Sequence, residues 1–292
     1  MLRVLEHARA RPDIIDLMSH PAERVLKWWQ YRRIFLTRKR IALGARFWRK
    51  HRAALARTGA ERGVAPRYIV AILGVETYYG RRSGPYRILD ALSTLTFDYP
   101  PRRRFFGREL EKFLVLAHRD RLDPLTVKGS YAGAMGPMQF MPSTYLRYAV
   151  GTGGHPPNLF TDWNDIFASI ANYLHAHGWR TGQPVLAPVA VEPDATFHVD
   201  PHDLALDRTI GGLAAEGARV DSDAPARTPV VLLLAQEREG PAYRAGFHNF
   251  RVILTYNHSA LYAMAVNDLA QAIAQRMGRP RSVMAGGTGP RR

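Results

Sequence analysis

Near Pro184 the hydrophobic pattern of this chain changes period, and near Gly246 it changes back. Before that point apolar residues recur at helical spacing. Between 184 and 246 they gather into short runs, VLAPVAV and TPVVLLLA, separated by Asp, Pro and Gly. The chain is therefore expected to be mainly α with a small β subdomain, an α+β organisation. Its expected parts are a helical N-terminal region (1–64), a core (65–183), a small β-containing insertion (184–246) and a return to the core (247–278). The tail from 279 to 292, which contains AGGTGPRR, is expected to be disordered. No internal repeat is present.

Within the helical parts, the text from Pro21 to Val64 is basic, with Trp28, Trp29, Ile34, Phe35, Ile41, Leu43, Phe47 and Trp48 among Arg and Lys. Pro66 suits the first turn of a new helix that carries Ile69, Ile72, Leu73 and Glu76 and ends at Gly80 and RRSGPYR. Further helices are expected near Phe105–His118, from about Trp163 to His177, and from Asn257 to Met277. The Gly- and Pro-rich segment KGSYAGAMGPMQFMPSTY from Lys128 predicts an ordered loop leading into a helix at Pro142.

Composition narrows the function classes. With 46% hydrophobic residues and five Trp over 292 positions, a real buried core is expected. Lys and Arg number 41 against 25 Asp and Glu, a net +16 that favours an anionic partner: nucleic acid, anionic lipid or acidic wall polymer. The absence of Cys removes disulfides, thiolate metal sites, a Cys nucleophile and an N-terminal lipidated Cys. MLRVLEHARARPDIIDLM lacks the apolar stretch of a signal peptide, so either the chain is intracellular or its export signal is missing. Nowhere do about 18 apolar residues run together as a membrane span requires.

Glu76, in GVETYYG, is the leading chemical candidate. On a continuous helix Ile72, Leu73, Tyr79 and Gly80 would share its face, so the carboxylate would emerge from an apolar stripe. Burial there would raise its pKa and keep it protonated as a general acid. The competing reading is a partly buried Glu paired with Arg81 or Arg82.

The order and spacing of GVETYYG, RILDALSTLTFDYP, KGSYAGAMGPMQFMPSTY, IANYLHAHGW and LTYNHSALYAMAV resemble the B-type lytic murein transglycosylases of glycoside hydrolase family 103. The likeness covers most of residues 13 to 278. It implies a lysozyme-like α-helical core and a peptidoglycan substrate, cut at the β-1,4 bond between N-acetylmuramic acid and N-acetylglucosamine. Glu76 would be the single acid and base, and the muramic C6 hydroxyl the final nucleophile, giving 1,6-anhydro ends. Asp90 and Asp98 would then not be needed as a second carboxylate.

The resemblance also implies a glycan cleft lined by Ser130, Gln139, Tyr173, Tyr256, Asn257 and Tyr262, whose hydroxyl, amide and phenol groups suit sugar. Tyr173 and Tyr262 are equally compatible with core positions. Two departures stand out. The loop after YAV, which holds calcium in some members, here lacks an acidic residue before Asp162, so no metal or other cofactor is expected. The Arg pair that follows Tyr-Pro in members is broken here, Pro101 taking the first place and Arg102 keeping the second, so Arg102 is a substrate-binding candidate whereas stem recognition through the pair does not follow. His175 and His177 face different directions on a helix and do not suggest a shared metal. The Arg-rich stretch from Arg32 to Arg52 is expected to be a solvated face that keeps the protein near an anionic wall. The expected state is a periplasmic monomer without nucleic acid. A lysozyme-type hydrolase, a non-catalytic wall-binding protein and a nucleic-acid binder are the competing functions.

Overall fold

The computed structural model describes residues 2–19 and 26–278. The expected disordered tail and the start of the basic segment at Pro21 lie outside the described residues. Five helices form the N-terminal part: α1 (Leu2–Leu5), α2 (Pro12–Ser19), α3 (Trp28–Phe35), α4 (Arg38–Lys50) and α5 (Arg52–Arg62). Among the described residues the basic stretch is three helices. Thr37 starts α4, its hydroxyl accepting the Arg40 N–H at 3.1 Å as an N-cap does.

α6 (Pro66–Thr77) opens on a proline, whose missing N–H is one that a first helical turn leaves unpaired anyway. From Tyr68 to Gly74 every residue is buried, so α6 is a core helix covered all round. It ends where Tyr78 and Tyr79 take positive φ angles of 54° and 64°, which turns the chain away from the helix axis. This corrects the expectation that Tyr79 and Gly80 share a helical face with Glu76. Tyr79 instead folds back between α4 and α6 and donates its hydroxyl to the Arg40 carbonyl at 2.9 Å.

Gly44 and Gly74 make the room for that ring. A Cβ on Gly74 would lie 2.8 Å from the Tyr79 hydroxyl oxygen and 2.9 Å from a Leu269 methyl. Gly74→Ala is therefore expected to destabilise the protein by about 1–3 kcal/mol through overpacking. Urea denaturation measures it, and an unchanged midpoint would contradict so close a crossing.

The core continues through β1 (Tyr86–Arg87), α7 (Ile88–Phe97), a 3₁₀ turn at Pro100–Arg102, α8 (Arg103–Arg119), β2 (Lys128–Gly129), α9 (Pro142–Tyr148) and α10 (Trp163–Ala176). β1 and β2 pair antiparallel with Tyr86 opposite Gly129. Single bridges from Gly129 to Met135 and from Met135 to Phe140 then fold the Gly-rich loop onto itself.

The β region comprises β3 (Leu186–Val191), β4 (Arg208–Thr209), α11 (Ile210–Ala215), β5 (Ala218–Val220), β6 (Pro229–Gln236) and β7 (Pro241–Gly246). Its strands order as β4-β6-β7-β3-β5, every pair antiparallel. β6 explains its own sequence: Val231 and Leu233 pack into the main core, while Val230 and Leu232 join a second cluster with Leu213 and Phe247. A strand covered on both faces needs a continuous apolar run rather than alternation.

The chain returns through α12 (His248–Tyr256), which the sequence did not suggest, and α13 (Ala260–Gly278), the helix expected from Asn257. α13 runs antiparallel to α6. Tyr262 near its start meets Glu76 near the end of α6, whereas Leu269 lies beside Gly74. A third cluster of Trp28, Tyr31, Ala235, Met264 and Ala265 joins α3, the end of β6 and α13. The fold is mainly α with a small sheet, of the lysozyme-like kind.

Candidate active site

Glu76 occupies the last turn of α6 and is half-buried. Because α6 is packed on all sides, the position of that turn is fixed by the core rather than by a loop. The Tyr262 hydroxyl donates to Glu76 Oε1 at 2.6 Å. Tyr262 is only 2% exposed, and burial, then the neighbouring Glu76, push its phenol well above the ordinary tyrosine value. It therefore remains a proton donor to Glu76 across any physiological pH.

Two more tyrosines extend this wall. The Tyr256 ring lies 6.5 Å from that of Tyr262 with only 12° between their planes, and its hydroxyl donates to the Met138 carbonyl at 2.6 Å. Burial, with Glu76 as the next cause, also holds Tyr256 well above its usual value. Tyr173 packs edge-on against Tyr256 at 5.0 Å and gives its hydroxyl to the Thr255 carbonyl at 2.5 Å. All three phenols thus have intramolecular acceptors.

The Gly-rich loop is tied directly to α6. Thr77, next to Glu76, donates its hydroxyl to the Pro137 carbonyl at 2.6 Å and accepts the Gly80 N–H at 2.9 Å. Gln139 sits at φ 55°, and its Nε2 donates to Ser83 O at 3.1 Å and Gly136 O at 2.9 Å. Ser130 closes the base of the same loop, its Oγ accepting the Ala134 N–H at 3.0 Å. Asn257 is the exposed residue at the end of α12, directly after Tyr256. Arg102 is exposed, its guanidinium resting over Phe105 at 4.2 Å and Phe106 at 5.2 Å.

Of the two downstream aspartates, Asp90 is engaged away from Glu76. Asp90 is 3% exposed and accepts from Arg87 at 2.6 and 2.7 Å and from the Arg9 N–H at 2.9 Å. Asp98 is exposed just beyond α7. Tyr31 on α3, absent from the sequence reading, is 2% exposed and belongs to the cluster that joins α3 to α13. It sits in the basic segment among Arg residues, and nothing in that local text marks it.

Residues 1–271 match the family described as the transglycosylase SLT domain. The membrane-bound lytic murein transglycosylase B of Escherichia coli is 42% identical over 280 residues, 93% of this chain and 76% of that protein. The chain belongs to the transglycosylase SLT family. It is similar in structure to the soluble lytic transglycosylase SltB1 of Pseudomonas aeruginosa, with a TM-score of 0.86 and 43% identity over 95% of this chain and 93% of the other. It also resembles SltB3 of the same organism, solved with NAG-anhNAM-pentapeptide, with a TM-score of 0.79 and 30% identity over 93% and 73%.

As a lytic transglycosylase, the chain can be tested for the calcium site that some members carry. Among the described residues His155, Asp162 and Asp165 bring ligand atoms within 4.8 Å of one another. Both Asp165 oxygens are already engaged: Oδ1 accepts the Thr152 N–H and hydroxyl, each at 2.7 Å, and Oδ2 accepts the Asn158 N–H at 2.9 Å. Asp162 Oδ1 caps α10 through the Asn164 N–H at 2.8 Å. One imidazole and two carboxylates, one of them with both oxygens engaged, do not fit calcium, which takes about six to eight oxygens. In this lytic transglycosylase a buried aspartate itself closes the loop.

Proposed function

We propose that Glu76 is the single general acid and base with which this lytic transglycosylase cuts peptidoglycan. The bond is the β-1,4 link from N-acetylmuramic acid to N-acetylglucosamine, and the product carries a 1,6-anhydromuramic end. The observation that carries the reading is the Tyr262–Glu76 hydrogen bond at 2.6 Å, which holds one carboxyl group in place by a buried phenol. With Oε1 accepting from Tyr262, the transferable proton belongs on Oε2.

Glu76 gives that proton to the glycosidic oxygen as the C1–O bond breaks, and the sugar's own N-acetyl group assists at C1. The resulting carboxylate then removes the proton of the C6 hydroxyl as its oxygen bonds to C1. Acid and base are regenerated in one cycle. The engagement of Asp90 with Arg87 and Arg9 agrees with a mechanism that needs no second carboxylate. The anhydro sugar in the SltB3 complex supports the same product. Ser130, Gln139, Tyr173, Tyr256 and Asn257 would line the glycan cleft, with Arg102 toward peptide stems.

Mass spectrometry of digested sacculi tests the chemistry. Anhydromuramic ends are expected; reducing muramic ends in their place would indicate a lysozyme-type hydrolase. Tyr262→Phe should lower kcat about ten- to a hundredfold with little change in KM, because the hydrogen bond is strongest to the carboxylate that forms as Glu76 gives up its proton. An equal loss confined to KM would make Tyr262 a substrate-binding residue instead.

The envelope is the natural location, since the E. coli relative is named membrane-bound. No described helix is long and apolar enough to cross a membrane. We infer action in the periplasm as a monomer, with the net +16 charge drawing the protein to an anionic wall.

A further inference from the structure

Every exposed residue of α4 is basic: Arg38, Lys39, Arg46, Arg49 and Lys50. No acidic residue stands anywhere on that helix. Arg46 and Lys50 are one turn apart on the same side of it, with about 6 Å between their Cβ atoms. Beside them the surface sinks into a hollow of about 210 Å³, where Arg81 is the third cation. None of the three enters a salt bridge among the described residues.

The hollow is built by three separate elements. Phe47 of α4 lies at its floor, with the Trp163 ring at 4.9 Å and the Tyr79 ring at 5.6 Å. Trp163, the first residue of α10, stands against Gly80, where a Cβ would meet its indole at 2.8 Å. Arg81 follows directly and is pinned to the end of α6, its N–H donating to the Thr77 carbonyl at 2.9 Å. The exposed charges of Arg46, Lys50 and Arg81 thus surround a floor of packed rings.

No carboxylate lines this space. Three like charges around it repel one another, and an anion would offset that repulsion. A carboxylate fills one guanidinium fork and leaves the remaining cations uncovered. A phosphate monoester brings about two charges and three terminal oxygens, one for each cation. The rings give the ester carbon an apolar surface to rest on, which a bare ion has no use for.

We propose that Arg46, Lys50 and Arg81 bind a phosphate monoester whose carbon rests on Phe47 and Trp163. The site goes beyond the peptidoglycan reading and stands without it, because binding is measured with no glycan present. A soluble sugar or glycerol phosphate and the headgroup of a monoester phospholipid carry the same group.

Isothermal titration of the full chain with glycerol 3-phosphate at constant ionic strength tests the proposal. Saturable binding is expected, with acetate at least about tenfold weaker. Arg46→Gln and Arg81→Gln should each weaken binding about tenfold, the loss of one charge-assisted hydrogen bond. Arg108→Gln removes the same charge from an exposed position of α8 and should leave binding unchanged. All three side chains are exposed, so melting temperatures should match the wild type. No saturable binding, equal binding of acetate, or an equal loss in Arg108→Gln would overturn the site. Soluble muropeptides, which carry carboxylates and no phosphate, should not displace the probe; displacement would make the hollow part of wall recognition and overturn the proposal too. Cosedimentation with vesicles of phosphatidic acid in phosphatidylcholine separates the sources. Capture that Arg46→Gln and Arg81→Gln weaken supports the site as a lipid headgroup site, and glycerol phosphate binding without capture supports it as a site for a soluble ester.

Discussion

Glu76→Gln is expected to slow the release of soluble fragments from sacculi by about 10²–10⁴-fold, the span that positioned proton transfer contributes. The amide keeps the size of the acid, and its carbonyl can still accept from Tyr262, which donates to Oε1 at 2.6 Å in the native protein. The fold should therefore persist, with an unchanged circular dichroism spectrum and melting temperature. In the proposed mechanism, what disappears is the proton for the glycosidic oxygen. Turnover within a few-fold of wild type would remove Glu76 from the mechanism and favour a wall-binding role for the cleft.

The second large effect concerns stability. Asp165 has no exposed surface and holds the 152–158 loop through the Thr152 N–H, the Thr152 hydroxyl and the Asn158 N–H. Asp165→Ala should cost about 2–4 kcal/mol, since it leaves several donors without an acceptor beside a buried helix start. Urea denaturation measures the loss. Millimolar calcium should leave the wild-type melting temperature where it is, because a ligand stabilises a protein only when it binds the folded state. A calcium-dependent rise of several degrees would show that the donor set accommodates the ion after all.

The main helices were legible where local chemistry states itself. Pro66 followed by an apolar run marks α6, and the alternation of Gly and Pro with Met marks the loop from Lys128. α7 went unrecognised as a helix because Ile88 to Leu95 are all buried, which erases the polar face that periodicity depends on. The turn at Tyr78 and Tyr79 was hidden for another reason: tyrosine rarely takes positive φ, and only the notch at Gly44 and Gly74 makes the fold-back of Tyr79 favourable. Asp90 was within reach, since Arg87 stands three residues before it on a helix start. The partner of Glu76 was not, because no local pattern links α6 to the first turn of α13. Tyr262 was expected at the cleft by resemblance, with a core position equally open, and its hydroxyl donates to Glu76.

That pairing has a bearing on how the protein is made. Glu76 and Tyr262 are separated by 186 positions, and α13 also covers the buried face of α6. A ribosome must have synthesised nearly the whole described chain before the acid acquires its donor and the central helix its cover. Fragments that end before Tyr262 are then expected to be inert toward the wall.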